Sequence, residues 1–494
     1  MNDLEVYVRA RYPLLYLVTA EEERALASLK ALADGMGKQI VAWSYTEGLG
    51  GDAGLRDPVA ALEAVRLAET RHIYVFKDLH PFFNNPAVVR KLRDLAQALR
   101  SSAKALLLLS PVLNLPPELT KDVTLVDFPP PDDATVVQMI ARAGEMAGRP
   151  VALDQLQKER LAGAARGLTA GEIANALAKA LVLHRGLDEQ AIAVMTEEKR
   201  QIVRKTGVLE YFDRPEALAA VGGLDELKAW LGKRQHAFGQ RARDFGLPEP
   251  RGLLLVGVQG CGKSLVAKAV AGLWGLPLLR LDVGRLMSGL VGASEENIRT
   301  ALRTAEALGP VVLWVDEIEK GFAGHQGGGD SGTAARVLAT FLTWLQEKEA
   351  PVFVIATANH LDLLPPELAR KGRFDEIFFV DLPDPAERRA IWEIHLRKRK
   401  RHLPDFDLPA LVAASEGMSG AEVEQALIDG LYDAFDQGRP LRDADLLAAL
   451  GRMVPLSRSL GAEIERLRTW AREKARPASA VRTAQALEPE WSST

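Results

Sequence analysis

The most specific chemical signal in the chain is the segment GVQGCGKS at residues 257–264. It matches the phosphate-binding pattern G-x-x-x-x-G-K-[ST] in full, between an apolar strand-like run at 253–256 and a helical segment. Gly257, Gly260 and Gly262 let successive backbone N–H groups point at a phosphate, reinforced by the positive end of the following helix. An ordinary glycine-rich turn is the alternative, and the flanking strand and helix argue against it.

Side chains in this segment complete the chemistry of a nucleoside triphosphate site. Lys263 would reach the β- and γ-phosphates, and the Ser264 hydroxyl would coordinate Mg²⁺. Cys261 and Leu265 belong to the same predicted nucleotide-contacting segment. Cys261 is the only cysteine of the chain, and we interpret it as a small filler rather than a redox switch. The sequence therefore predicts ATP and Mg²⁺ as cofactors.

A pair of acids follows the apolar run VVLWV at 311–315. From the end of a buried strand, Asp316 would enter the Mg²⁺ shell, and Glu317 would act as general base on the attacking water. Taken alone, such a pair equally suits a helix cap. Its place downstream of the phosphate loop in an α/β frame favours the catalytic interpretation.

Asn359 ends a further apolar run, VFVIATAN at 352–359. Its amide could orient the attacking water against the γ-phosphate. A turn-forming asparagine is the alternative, because asparagine strongly favours turns.

Positioning these residues requires a sheet whose strands end at one edge. Short β-branched runs separated by helical-period stretches in the second half predict a parallel α/β sheet covered on both faces. The first half repeats the landmarks faintly: PPEL at 116–119 recurs at 365–368, and GLT at 167–169 corresponds to GMS at 417–419, both about 250 residues later. Chance likeness between two α/β domains is the alternative to a degenerate copy.

The first copy lacks a phosphate loop. After its first predicted strand come Thr19-Ala20-Glu21-Glu22-Glu23, with no glycine, no lysine and three carboxylates that would repel phosphate. Asp78 stands where an acidic pair would be, with no phosphate-bound magnesium to serve. We expect no nucleotide site in this half.

The bulk composition is that of an ordinary soluble globular protein, with 47% apolar and 26% charged residues. The net charge of −4 gives no global electrostatic case for nucleic acid or an acidic membrane surface. The N-terminal sequence is unlike a signal peptide, and no apolar run is long enough to span a membrane. We therefore expect a cytoplasmic protein without a membrane partner.

Together these motifs resemble the AAA family of AAA+ ATPases over about residues 215–455. VGGLDELK at 221–228 is similar to the motif that opens the family's ATPase module and packs near adenine, which implicates Val221 and Gly222. Asn359 falls at the family's first sensor position.

The resemblance also implies the architecture. It predicts a P-loop NTPase with a parallel-sheet core and a small helical lid, ATP between them, and a homo-oligomer that is usually a hexameric ring. GMSGAE at 417–422 is similar to the sensor segment of the lid, which places Gly420 and Ala421 at the nucleotide. No arginine is placed there as a second sensor.

Arg370 and Arg373, in ELARKGRFDE, are interpreted mainly through this resemblance. In a ring they would project into the neighbouring subunit's site and stabilise charge on the transferring phosphoryl group. Solvated surface arginines are the alternative.

Longer phrases resemble one AAA subgroup, encoded as a conserved reading frame in algal plastids and found in cyanobacteria and other bacteria. The predicted organisation is a degenerate AAA-like domain at 1–190 (α/β part about 1–135, helical lid about 136–190), a connecting helix and linker at 191–215, a large ATPase subdomain at 216–385, a helical lid at 386–451, and a C-terminal helix with an unstructured tail at 452–494.

Three hypotheses for the biological activity stay open. The favoured one is an ATP-driven machine that remodels a protein, although Leu290 replaces a common aromatic in the predicted pore loop at 288–292. The second is a nucleic-acid-binding ATPase that uses the basic run Arg397–Arg401, whose alternative is a solvated helix end. The third is a slow, nucleotide-gated scaffold.

Overall fold

The computed structural model describes residues 2–148, 151, 153–212, 217–287, 293–322, 331–360, 363–370 and 372–480. The chain divides into two compact units, with the boundary between Glu198 and Lys199. The predicted pore loop at 288–292 and the end of the tail at 481–494 lie outside the described residues. Within the described ranges, no helix combines the length and apolar character needed to cross a bilayer.

The first unit is a parallel sheet with helices on both faces. Its strands are β1 (Leu14–Val18), β2 (Ile40–Ser44), β3 (Gly48–Leu49), β4 (Ile73–Lys77), β5 (Ala105–Ser110) and β6 (Val123–Val126). Its helices are α1 (Asn2–Arg9), α2 (Glu22–Gly35), α3 (Pro58–Leu67), α4 (Pro86–Arg100), α5 (Asp133–Ala147), α6 (Gln155–Ala165) and α7 (Ala170–His184). The strand order is β3-β2-β4-β5-β1-β6, and only the short β3 pairs antiparallel, with β2.

The second unit begins within helix α8 (Gln190–Lys205), because the boundary residues Glu198 and Lys199 both lie in this helix. Its strands are β7 (Leu209–Phe212), β8 (Gly252–Gly257), β9 (Leu278–Leu281), β10 (Val311–Val315), β11 (Val352–Ala358), β12 (Glu376–Val380) and β13 (Arg476–Pro477). The helices of its α/β part are α9 (Asp225–Gly232), α10 (Gln240–Asp244), α11 (Lys263–Trp274), α12 (Val283–Met287), α13 (Ala293–Ala307), α14 (Ile318–Phe322) and α15 (Ser331–Glu347). The later helices are α16 (Pro385–Lys398), α17 (Leu408–Ala414), α18 (Gly420–Asp436), α19 (Asp443–Arg452), α20 (Leu456–Ser459) and α21 (Gly461–Lys474).

The two units share a five-strand core in the same order, which confirms the predicted repeat. The first unit has β2-β4-β5-β1-β6, and the second has β9-β10-β11-β8-β12. The repeat extends to the helices that follow each sheet, because Thr169 caps α7 and Ser419 caps α18, each through a capping box with a glutamate three residues on. Both units are therefore built on one α/β plan.

Two segments at the sheet edges differ from the sequence-based expectation. Residues 209–212, predicted as linker, form β7 and pair antiparallel with β9. Residues 476–477, predicted as unstructured tail, form β13 and pair parallel with β12. An open sheet edge offers unpaired backbone groups to any short segment that reaches it, so tertiary pairing decides the outcome there.

The core of the second unit lies on both faces of its sheet. Every residue of β8, β10 and β11 is buried, as expected for central parallel strands covered by helices. Because these strands run in the same direction, their carboxyl ends meet at one edge, where ligands bind in open α/β sheets. The phosphate loop follows β8, the acids at 316–317 follow β10 and Asn359 follows β11, so these predicted site residues lie at this edge.

Candidate ATP site

The phosphate loop connects β8 to α11, and its three motif glycines are required for different reasons. Gly257 has φ of 152°, and a Cβ there would lie 2.0 Å from the Val380 carbonyl oxygen of β12. Gly260 (φ 72°) passes close to Ser419, whose Oγ would lie 2.9 Å from an added Cβ. Gly262 (φ 90°) has open space around it, so only its left-handed backbone excludes a side chain.

Lys263 is the first residue of α11 and is only 5% exposed. Its Nζ donates to the carbonyl oxygens of Gly257 and Val258, both at 2.7 Å. Burial lowers the pKa of Lys263 to about 8. A buried ammonium held by neutral carbonyls is suited to receive an anion, and the residues present therefore fit a phosphate group.

Ser264 and the acids after β10 form one hydrogen-bonded chain. The Ser264 hydroxyl lies 3.0 Å from Asp316 Oδ1, and the Thr357 hydroxyl donates to the same oxygen at 2.7 Å. Thr357 also accepts the backbone N–H of Glu317 at 2.9 Å. A serine hydroxyl and a carboxylate this close are oxygen ligands of the kind that Mg²⁺ prefers, so this pair fits that ion.

Asn359 contacts the predicted general base directly. Its Nδ2 donates to Glu317 Oε1 at 3.0 Å. Its backbone N–H donates at 2.8 Å to Glu319 Oε1, and Glu319 is fully buried. Glu317 itself has φ of 48°, a strained conformation for a residue with a side chain. The amide and the carboxylate are therefore held together at the ends of two neighbouring strands.

Lys320 is a polar residue of this site that sequence reasoning missed. It lies on α14, and its Nζ is 2.7 Å from Glu317 Oε2. The hydrogen bond with Glu317 raises the pKa of Lys320, so it stays protonated at neutral pH. The i, i+3 spacing of these two residues is visible in the sequence, but surface helices carry many such pairs.

These side chains line a cavity of about 390 Å³. Its lining residues are Gln259, Gly260, Gly262, Lys263, Ser264, Leu265, Asp316, Glu317, Lys320, Thr357 and Asn359. The structure thus brings together the predicted phosphate loop, the acidic pair and the sensor asparagine.

Cys261 lies in the same loop, and its Sγ is 3.6 Å from the Gln259 carbonyl oxygen. Burial raises the pKa of the Cys261 thiol to about 12. The thiol therefore stays protonated and weakly reactive at neutral pH, which supports its interpretation as a filler.

Of the predicted adenine-side residues, Gly222 approaches the first lid helix, α16, and Val221 lies in the apolar core of the α/β part. Val221 is 4% exposed, and its carbonyl accepts the Lys228 ammonium at 2.6 Å. A Cβ on Gly222 would lie 2.7 Å from the Ile391 side chain of α16. This glycine therefore allows the motif at 221–228 to approach the lid closely.

The lid also contacts the phosphate loop through the start of α18. The Ala421 backbone N–H donates to the Gly260 carbonyl at 3.0 Å. A Cβ on Gly420 would lie 3.4 Å from that same oxygen. Both predicted lid residues therefore lie beside the loop.

Arg370 and Arg373 are placed differently from the other predicted residues. Arg370 is exposed, and a guanidinium nitrogen of Arg373 donates to the Glu367 carbonyl. Neither arginine is among the described residues that line the cavity of their own chain.

The first unit replaces the phosphate loop with an internal carboxylate contact. Glu21 is 6% exposed at its side chain; it accepts the backbone N–H of Ala170 at the start of α7 and pairs with Arg24. Asp78 has φ of 50°, close to the value at Glu317. The first unit therefore retains the backbone conformation of the acidic position, although it has no phosphate loop beside it.

The basic run is partly paired within the lid. Arg399 donates to Glu424 at 2.9 Å and is 20% exposed, and Arg397 lies 3.5 Å from Glu393. Cations at the end of α16 also interact favourably with the negative end of that helix. These contacts favour the solvated helix end over a nucleic-acid site.

Comparisons with known proteins match most of the chain to AAA sequences. The family "ATPase family associated with various cellular activities (AAA)" matches residues 253–382, and the N-terminal and second domains of SpoVK-like AAA ATPases match 1–128 and 133–206. The AAA domain-containing protein ycf46 of Guillardia theta is 40% identical over 480 residues, which cover 95% of this chain and 94% of that protein.

Two further relatives match the second half. The proteasome-activating nucleotidase of Aeropyrum pernix is 34% identical over 50% of this chain and 62% of its own length. The ATP-dependent zinc metalloprotease FtsH 3 of Sphaerobacter thermophilus is 35% identical over 49% of this chain and 50% of its own length. The chain belongs to the AAA ATPase family, is similar to ycf46 over most of its length, and is an ATP-binding ATPase.

Proposed function

We propose that the cavity at the end of β8, β10 and β11 is the hydrolytic site of a ring-forming, Mg²⁺-dependent ATPase that remodels a protein partner. The continuous chain of hydrogen bonds from Ser264 through Asp316 and Thr357 to Glu317 and Asn359, beside the buried Lys263, supports this proposal most directly. The division of the chain into the predicted domains and the cytoplasm as its compartment belong to the same proposal.

The residues divide the chemistry among them. The loop amides and Lys263 bind phosphate oxygens and offset their charge. Glu317 accepts the proton of the attacking water, and Asn359 holds the carboxylate in position. Ser264 and Asp316 would hold Mg²⁺, which would neutralise phosphate charge. The lid contacts this site through Ala421, whose backbone N–H donates to Gly260 of the phosphate loop.

The ring is proposed because no arginine is among the described residues that line the cavity. Arg370 and Arg373 do not line the cavity of their own chain, so we assign them to the site of an adjoining subunit. An arginine supplied in this way stabilises the charge of the transferring phosphoryl group. A hexamer of identical subunits is the assembly we propose.

A protein substrate is proposed on the names of two relatives. One is a proteasome-activating nucleotidase and the other an ATP-dependent metalloprotease. Both names connect nucleotide use with protein degradation. The paired state of Arg397 and Arg399 gives less support to a nucleic-acid substrate.

A substrate trap tests the proposal. Glu317→Gln should keep bound ATP without hydrolysing it and should retain a protein in ATP-dependent capture, whereas Lys263→Ala, the matched control, should not. The captured protein, once purified, should then stimulate ATP turnover by the wild type. The protein-remodelling proposal would be contradicted if the trap retained nucleic acid instead of protein. It would also be contradicted if the trap retained no macromolecule and only assembled with itself in the presence of ATP.

A further inference from the structure

Both carboxylate oxygens of Glu317 are held by side chains of the same cavity. Asn359 Nδ2 donates to Oε1 at 3.0 Å, and Lys320 Nζ lies 2.7 Å from Oε2. The amide is neutral, but the ammonium carries charge. An ammonium hydrogen-bonded to Oε2 occupies an acceptor position that an attacking water would otherwise use. In this arrangement Asn359 positions the Glu317 carboxylate, and Lys320 at the same time restrains it.

We propose that Lys320 exchanges between two anionic partners in this cavity: the Glu317 carboxylate when no terminal phosphate is bound, and the γ-phosphate when ATP is bound. The inference rests on the proposed function, since it takes the cavity as the ATP site and Glu317 as its base. It makes Lys320 a positioning residue that distinguishes a nucleoside triphosphate from a diphosphate.

The exposure of the pair makes such an exchange easy. The side chains of Lys320 and Glu317 are 57% and 38% exposed, respectively. Exposed ion pairs contribute little to stability, because water and salt screen them. Lysine also has a flexible stem and three rotatable donors, so it can change partners without movement of the backbone.

The charges of the cavity give the exchange its direction. Asp316 and Glu317 supply two carboxylates, and Lys263 and Lys320 supply two ammonium groups. A terminal phosphate adds negative charge and three acceptor oxygens, which compete with one carboxylate oxygen for the ammonium. When Lys320 moves to the phosphate, Glu317 Oε2 becomes free to accept a proton from water.

Binding measurements separate this exchange from a passive surface ion pair. Calorimetric titrations with ADP and with a non-hydrolysable β,γ-imido analogue of ATP, both with Mg²⁺, would compare wild type, Lys320→Gln, Glu317→Gln and the double variant. Lys320→Gln should lower analogue affinity about tenfold, as for one charge-assisted hydrogen bond, and leave ADP affinity unchanged. Lys320→Arg should preserve most of the preference for the analogue. The exposed Lys474, outside the cavity lining, supplies the matched control Lys474→Gln.

The double variant tests the link to Glu317. Glu317→Gln frees Lys320 and should raise analogue affinity, and this gain should vanish when Lys320→Gln is added. The exchange is refuted if the gain in analogue affinity persists in the double variant. It is also refuted if Lys320→Gln leaves the affinities for ADP and for the analogue unchanged, or lowers both equally. If the wild type still binds ADP and the analogue in those cases, the proposal that this cavity is the ATP site stands. Wild type that binds neither nucleotide would overturn the site and the exchange together.

Discussion

Lys263 is charged in a place where charge is costly, and its pKa of about 8 reflects that cost. Bound phosphate favours the ammonium form, so nucleotide binding must draw a proton onto any Lys263 that has lost it. ATP affinity is therefore highest well below pH 8 and falls as the pH rises through the pKa of Lys263 in the free site.

We therefore predict a fall in ATP affinity of about tenfold between pH 7 and pH 9, with proton uptake on binding at the upper end. Calorimetry of the Glu317→Gln variant in buffers of different ionisation enthalpy measures both quantities. Unchanged affinity over this interval would show that Lys263 does not lose its proton there.

Lys263 and Glu317 should separate binding from hydrolysis. Lys263→Ala removes the buried cation of the phosphate loop and should abolish detectable ATP binding. Glu317→Gln keeps the shape and one hydrogen-bond acceptor beside Asn359 but cannot take a proton, so binding should persist while turnover falls at least a hundredfold. Equilibrium binding and phosphate release on the same preparations provide the check, and substantial turnover by Glu317→Gln would exclude it as the base.

The residues directly after strand β13 contact three elements of the second unit. Ala478 donates to Phe379 of β12 and accepts from Leu227 of α9. Ser479 Oγ donates at 2.6 Å to Glu387 of the lid helix α16. Glu387 also accepts the backbone N–H of Leu224 at 3.0 Å. The segment after α21 therefore joins the sheet edge, the opening motif and the lid.

Glu387→Ala should destabilise the second unit by about 2 kcal/mol, because it removes a cap and leaves buried donors without an acceptor. Denaturant unfolding followed by tryptophan fluorescence reports on this unit, since Trp43 is the only tryptophan of the first unit. Glu393→Ala, a half-buried glutamate on the same helix whose partners are the exposed Arg389 and Arg397, serves as control. Equal stability of the two variants would count against the connecting role of Glu387.

In the first unit, a side-chain hydrogen bond fixes the start of helix α7 without a nucleotide. Glu21 accepts the N-terminal amide of α7, in the place where the second unit sets Gly260 against Ala421. Glu21→Ala should weaken this contact by about 1–3 kcal/mol, since the Ala170 donor and Arg24 both lose their acceptor.

Hydrogen exchange at the start of α7 would measure this loosening, with the exposed Glu23→Ala as control. Faster exchange only in Glu21→Ala is the expected result. ATP affinity should stay at the wild-type value in both variants, because the first unit carries no phosphate loop. Exchange rates that do not differ would show that Glu21 does not hold the lid.

Across the molecule, what the sequence discloses depends on how local the determinant is. The phosphate loop at 257–264 and the acids at 316–317 follow from contiguous residues with strong spacing rules, and the structure brings them into one cavity. The repeat was visible because turn and cap residues recur at one interval. Strands β7 and β13 were missed, since they are set by pairing with β9 and β12 and not by their own composition.

Contacts between distant residues were also beyond sequence reasoning. Glu21 and Ala170 are far apart in the chain, and nothing local marks their hydrogen bond. The Lys320–Glu317 pair is local, but whether its side chains meet depends on the left-handed turn at Glu317. Tertiary packing and backbone strain therefore account for most of what the sequence did not reveal.

The proposed ring makes each active site a product of two subunits. Arg373→Ala should lose most of its activity in a homogeneous preparation, because no subunit then supplies the guanidinium to its neighbour. Lys263→Ala should be inactive because its own pocket cannot hold ATP. Each variant keeps what the other has lost.

Mixing these two inactive proteins is the most direct measurement of the central claim. If an intact pocket at 257–264 is completed by an adjoining subunit, ATP turnover should reappear in the mixture and peak at intermediate ratios. Mixtures that stay inactive at every ratio, although the subunits exchange, would contradict it.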